Sequence, residues 1–229
     1  MPKQAQRPLQ NRAISTAAKL ERRNQILTAA DELVKRYGHS AISVAEVAKH
    51  AGVAKGTVYL YFNTKEEIYL GVHQLWVNRK LDAFADLLQD ASPPHTGAMI
   101  GAAIADAMLA ESHGLVTATT CHSLMETHID LDSAFEFKLQ LAQRLDTLGN
   151  LIEQRFPFLA PGSGARLLVR TYAMTLGLWQ LMDTSSRWRK LETAKGLEVF
   201  NVDFATELHA ALVALWRGAL DDLSNRTST

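Results

Sequence analysis

Residues 43–65 read SVAEVAKHAGVAKGTVYLYFNTK, and this stretch decides the fold. Ser43-x-x-Glu46 is a capping box, in which a serine oxygen and a glutamate three residues on satisfy orphan backbone N–H groups at a helix start. The helix it opens runs to about His50, with Val44, Val47, Ala48 and Ala51 pointing one way. Gly52 permits the left-handed backbone of a sharp turn, and a further helix runs from about Ala54 to Phe62. Two short helices joined through Ala51-Gly52-Val53 have the form of a helix-turn-helix, whose second helix lies in a DNA major groove. Lys55, Gly56 and Thr57 occupy the first turn of that second helix. There the free N–H groups, an ammonium and a hydroxyl can meet phosphate or base edges, and a residue without a side chain lets the backbone approach closely.

Upstream, Ile26, Leu27, Ala30, Leu33, Val34 and Tyr37 fall on one face of a helix that begins near Arg22 and ends at Gly38. Residues 1–19 carry Pro2, Pro8 and scattered Gln and Arg, and are expected to form a flexible basic arm. Downstream, Thr64 with Glu67 is a second capping box, opening a long helix to about Leu88. Segments near 95–112, 115–129, 132–156, 163–184 and 202–222 are apolar every third or fourth residue, separated by Ser92-Pro93-Pro94, His113-Gly114, Pro157 and Pro161-Gly162-Ser163-Gly164. Strand-type alternation is missing. The expected fold is all-α: a three-helix helix-turn-helix domain over 20–80, with its motif at 43–62, then a helical domain over 81–229.

Charge supports the division. The 229 residues balance to zero, yet Met1–Lys65 holds 11 Lys+Arg against 4 Asp+Glu, a net of +7, and the rest is −7. A basic first third on an acidic remainder fits a nucleic-acid-binding end, although a solvated basic tail gives the same count. The single cysteine, Cys121, excludes an internal disulfide and a Cys-based zinc finger. No apolar run reaches bilayer length and the polar start has no signal-peptide core, so the expectation is a cytoplasmic protein without a membrane partner.

Catalytic motifs are missing: there is no Gly-x-Ser-x-Gly, Gly-rich phosphate loop or His-Glu-x-x-His. His122 and Glu126 lie at i, i+4 beside Cys121 and close to His128, but no second cluster completes a metal site. The reading is therefore not an enzyme, with no cofactor and no metal.

The run Val53–Phe62, followed by Asn63-Thr64-Lys65-Glu66-Glu67, closely resembles the DNA-binding segment of tetracycline-repressor (TetR) family regulators. Ile26-Leu27-x-x-Ala30, Tyr37-Gly38 and Val47-Ala48-x-x-Ala51-Gly52-Val53 match the same family. The resemblance covers about residues 20–80. It implies DNA contacts from Ser43, Lys55, Gly56, Thr57, Tyr59, Tyr61 and Lys65, with Tyr59 and Tyr61 offering hydroxyls to phosphates. Taken alone, Tyr59 serves packing or phosphate contact, Phe62 reads as core, and Lys65 is a solvated charge or a clamp. One departure stands out: where the family often has a hydroxyl after the turn valine, this chain has Ala54, which removes a cap worth about 1 kcal/mol. Leu60 is apolar where larger polar residues are common, suited to a thymine methyl.

The family further implies a palindromic operator bound by a homodimer, a repressor role and a small effector held among the C-terminal helices. Candidate pocket residues are Cys121, His122, Met125, Phe135, Tyr172, Met174, Trp179 and Met182, an aromatic and Met-rich set suited to an apolar or aromatic ligand. No Lys or Arg lies between Ala83 and Phe137; Arg144, Arg166 and Arg170 are the nearest candidates to neutralise an anion. The last two long helices, with a stripe at Phe204, Leu208, Leu212, Leu215 and Ala219, are the expected dimer elements, ordinary core being the alternative. Two other functions remain open at this stage: a DNA-binding regulator without an effector, and a helical enzyme or interaction module with an incidental helix-turn-helix.

Overall fold

The structure, a computed structural model, describes residues 7–38, 43–90, 96–182, 196 and 202–227, without the side chains of 7–16, His122, Glu126 and 222–227. The described residues are helical, with no strand among them. The elements are α1 (Arg7–Tyr37), α2 (Val44–His50), α3 (Lys55–Tyr59), α4 (Lys65–Gln89), α5 (Gly97–Ala110), α6 (His113–Thr127), α7 (Leu131–Arg155), α8 (Ser163–Met182) and α9 (Phe204–Thr227). No single helix among them is long and apolar enough to cross a membrane.

The chain divides into two compact units between Gln74 and Leu75, inside α4. In the first, α1 is longer than its apolar stripe suggests. The stretch expected as a flexible arm is helical from Arg7 onward, because Pro8 in the first turn costs little and residues 9–21 contain no glycine or further proline. Residues 1–6 lie outside the described ones. Ile26, Leu27, Ala30 and Val34 of α1 pack with Val47, Ala48, Val58, Phe62 and Ile68 as a buried core. Each fully buried large apolar side chain contributes about 1.5–3 kcal/mol.

In the second unit, the core joins Phe84 and Leu88 of α4, Ile100 and Ile104 of α5, Leu148 and Ile152 of α7, Leu167 and Leu168 of α8, and Leu208, Leu212, Trp216 and Leu220 of α9. Backbone proximity governs the α5–α9 contact. A Cβ on Gly101 would stand 2.5 Å from the Leu212 carbonyl oxygen, and one on Gly97 would stand 2.3 Å from that of Trp216. Only glycine lets the two helices meet this closely. The Gly97 N–H also donates to Asp221 at 2.7 Å, tying the start of α5 to α9.

This packing corrects the reading of the α9 stripe. Leu208 and Leu212 are fully buried within their own chain, with Trp216 and Leu220 continuing the row. Leu208 and Leu212 of the stripe thus belong to the chain's own core, while Phe204, Leu215 and Ala219 are half-buried beside it.

Candidate nucleic-acid interface

Local chemistry builds the site. At the start of α2 the capping box forms in full: the Glu46 N–H donates to Ser43 Oγ at 3.2 Å, and the Ser43 N–H donates to Glu46 Oε2 at 3.3 Å. The helix ends in a Schellman motif. Gly52 takes φ 67°, its N–H donates to the Lys49 carbonyl, and the Val53 N–H donates to the Ala48 carbonyl at 2.9 Å. A residue with a Cβ at Gly52 would be strained there.

The next helix, α3, starts without a side-chain cap at Ala54, as the missing hydroxyl predicts. It is shorter than its sequence spacing suggests, ending at Tyr59. Leu60 and Tyr61 continue as a turn, and the Phe62 N–H donates to the Val58 carbonyl at 3.0 Å. Val58 and Phe62 face the core, which leaves Lys55, Gly56, Tyr59 and Leu60 outward. Tyr59 is 47 % exposed and Leu60 is 81 % exposed, high values for large apolar surfaces in a monomer. The Lys55 ammonium lies 6.0 Å from the Tyr59 ring centroid. A Cβ on Gly56 would meet nothing within 4 Å, so folding does not require glycine at that position. Thr57 and Tyr61 are half-buried, and Ser43 and Lys65 are exposed. Phe62 is core, as its spacing suggests.

The turn from α3 to α4 holds a feature the sequence does not disclose. The Glu67 N–H donates to Thr64 Oγ1 at 3.1 Å, as the capping box predicts. Its carboxylate, however, accepts from the Asn63 N–H at 2.9 Å and from Asn63 Nδ2 at 3.1 Å. The Arg23 guanidinium, half-buried, stands 5.0 Å from the Phe62 ring centroid. Burial draws its pKa below the ordinary arginine value, and the Glu67 charge opposes that shift.

In the second unit, the expected effector residues separate by environment. Cys121 is buried on α6 and beside Tyr172 of α8: burial pushes the thiol up to about 12, and burial with the Cys121 charge pushes the Tyr172 hydroxyl up to about 12. Both groups are neutral near pH 7, so they can hydrogen-bond a ligand but not pair with its charge. Met125, Met174, Trp179 and Met182 are half-buried. Met174 packs on the core, and the Trp179 ring meets Phe204 edge-on at 5.1 Å. Phe135 is 66 % exposed on α7, whose buried residues there are Ala134 and Phe137. The side chain of His122 lies outside the described residues. Of the three arginines expected to answer an anion, Arg144 pairs with Asp82, Arg166 donates to Ser163 at 3.1 Å, and Arg170 is exposed.

Two short helices joined by a glycine turn and packed on α1, with a basic and aromatic face turned outward, form a helix-turn-helix. The chain belongs to the TetR family. Residues 26–72 match the family model of bacterial regulatory proteins of the tetR family, and residues 75–222 match a tetracyclin repressor-like C-terminal domain. Among curated proteins the chain is similar to the fatty acid metabolism regulator protein of Bacillus subtilis, 36 % identical over 66 residues, which are 29 % of this chain and 32 % of that protein. It is also similar to the transcriptional activator FasR of Mycolicibacterium smegmatis, 38 % identical over 69 residues, which are 30 % of this chain and 32 % of that protein. The chain thus spans about a third of the length of these curated relatives. A solved structure of the transcriptional regulator FadR from Bacillus subtilis, in complex with stearoyl-CoA, shares the fold at a TM-score of 0.52 and 20 % identity, covering 86 % of this chain and 98 % of that one.

Proposed function

We propose that this regulator binds a palindromic operator as a homodimer, represses transcription there, and is released by a small apolar or aromatic effector. The outward face of α3 and its flanks carries this reading. Lys55, Gly56, Tyr59 and Lys65 are exposed beside half-buried Thr57 and Tyr61, along α3 and the turn after it, whose inward residues Val58 and Phe62 are buried in the core. In this assignment Lys55, Tyr59, Tyr61, Lys65 and Ser43 meet phosphates, Thr57 reads bases, and Gly56 lets the backbone close on the duplex.

The proposed dimer uses the outward sides of α8 and α9, since their inward stripes are consumed by the core. Val169, Ala173 and Leu181 on α8, with Ala210, Ala214 and Gly218 on α9, form a small-to-apolar exposed set at helical spacing. Small residues let helices approach closely, and two-fold pairing matches half-sites one or more helical turns apart.

Cys121, Met125, Tyr172, Met174, Trp179 and Met182 are the proposed effector contacts. An apolar chain suits them, and one relative is named for fatty acid metabolism while a structural neighbour holds stearoyl-CoA. Release follows from linkage, typically 1–3 kcal/mol of coupling between the two sites. The direct test is a duplex selected from a random pool with the full chain, followed by displacement with free fatty acids, acyl-CoA and uncharged aromatic compounds. A palindromic selected sequence and release by one class are the expected results. Selection of an asymmetric site would remove the two-fold model. Release by none of the compounds would favour a regulator without an effector, and a reporter carrying the selected site gives the sign of regulation.

A further inference from the structure

The Arg23–Phe62–Glu67 cluster belongs to no expected contact set, yet it joins α1 to the turn that carries two of the proposed DNA contacts. Phe62 is buried and closes α3 through its N–H. Glu67 grips Asn63 through both backbone and side chain, so its carboxylate sets the path from Tyr61 to Lys65. Arg23 lies against the Phe62 ring and within reach of the Glu67 charge. A planar delocalised cation can stack on a ring while facing a carboxylate; an ammonium on a flexible stem cannot do both as well.

We propose that Arg23 is a positioning residue for DNA recognition, fixing the α3–α4 turn through Phe62 and Glu67 without touching the duplex itself. The inference rests on the proposed contacts of Tyr61 and Lys65. Its neighbour Arg22 supplies the contrast: it is exposed, and its guanidinium donates to Gln25 at 2.7 Å. Both arginines carry the same charge, but only Arg23 is built into the turn.

The test measures affinity of the full chain for its selected duplex across a salt series, well below the melting temperature. The proteins are wild type, Arg23→Gln, Arg23→Lys, Arg22→Gln, Glu67→Gln, the Arg23→Gln/Glu67→Gln double variant and Lys65→Ala. Arg23→Gln should weaken binding about tenfold, the scale of a desolvated cation–π contact, with the salt slope unchanged. Arg23→Lys should recover part of the loss, Arg22→Gln should lose less than Arg23→Gln, and the double variant should bind no worse than the weaker single one. A slope lower by about one in Arg23→Gln would mean a direct phosphate contact and overturn the proposal. Unchanged affinity with a lower melting temperature would overturn it as well, leaving Arg23 a prop for α1 alone. Strictly additive losses with Glu67→Gln would break the claimed route. Lys65→Ala separates the two levels: if it leaves both affinity and slope unchanged, the assigned interface fails, whereas a loss there with none at Arg23 sinks only the present inference.

Discussion

The indole N–H of Trp216 donates to the Thr171 hydroxyl at 3.0 Å, fully inside the second unit. Thr171 Oγ1 in turn donates to the Leu167 carbonyl at 2.8 Å, and the Trp216 ring meets Phe84 edge-on at 5.3 Å. One polar contact thereby fixes α9 on α8 while the same side chain fills the core towards α4. Thr171→Val should leave the buried indole N–H without its acceptor and cost about 1–3 kcal/mol in urea unfolding. Adding Trp216→Phe should cost less than the sum of the two single changes, because the orphaned donor goes with the indole. Additive losses would mean that the hydrogen bond contributes nothing beyond packing.

Lys65 and Thr57 should respond differently to substitution. Lys65→Ala is expected to weaken binding to all duplexes about equally and lower the salt slope by about one unit. Thr57→Ala is expected to change which bases are preferred at one position in each half-site. Binding curves over a panel of single-base variants separate the two effects. Identical profiles for both proteins would remove the base-reading role of Thr57.

Two glycines test the difference between a folding constraint and a binding one. Gly101→Ala places a methyl 2.5 Å from the Leu212 carbonyl oxygen, so α5 and α9 must part, at a cost of about 1–3 kcal/mol in thermal unfolding. Gly56→Ala meets nothing within 4 Å and should fold at least as stably as the parent. Its deficit should show only in DNA affinity. A Gly56→Ala chain that binds normally would mean that the backbone there stays clear of the duplex.

The dimer prediction follows the exposed faces. Ala214→Arg, on the outward side of α9, should give a folded chain of half the dimer mass in sedimentation, whereas Leu212→Glu should unfold the second unit. Leu212 is 0 % exposed, and an unpaired carboxylate there costs several kcal/mol. A folded dimer of unchanged mass with Ala214→Arg would place the interface elsewhere.

Stability should fall in mild acid. His73 is buried and burial lowers its pKa to about 4, against 6.5 for the free side chain. Between these values the unfolded chain binds the proton and the folded one does not, so unfolding free energy rises with pH. The contribution is complete above about pH 6.5 and is lost as pH falls towards 4, an amount of roughly 3 kcal/mol at most. His73→Gln should flatten the stability profile across this window. An unchanged slope in the variant would assign the acid sensitivity to the carboxylates.

The helix-turn-helix of the first unit was legible in the sequence, and the reason is range. The Ser43–Glu46 box, the Gly52 turn and the alternation of Val47, Val58 and Phe62 with exposed Lys55 and Tyr59 are all relations within a few residues, which local patterning records directly. The helices of the second unit were legible for the same reason, with the break at Pro157 where expected and the one expected at His113-Gly114 falling two residues earlier, at Glu111-Ser112. Periodicity identifies a buried face but carries no information on what buries it. The stripe at Leu208 and Leu212 was compatible with a partner helix, and only the glycine-mediated approach of α5 decided that it serves the chain's own core. Phe135 shows the converse: its aromatic character suggested a pocket wall, but the rotation of α7 that buries Ala134 and Phe137 turns it outward. The Arg23–Phe62 contact lies beyond sequence reading altogether, because a charge on α1 and a ring after α3 become neighbours only when the helices pack.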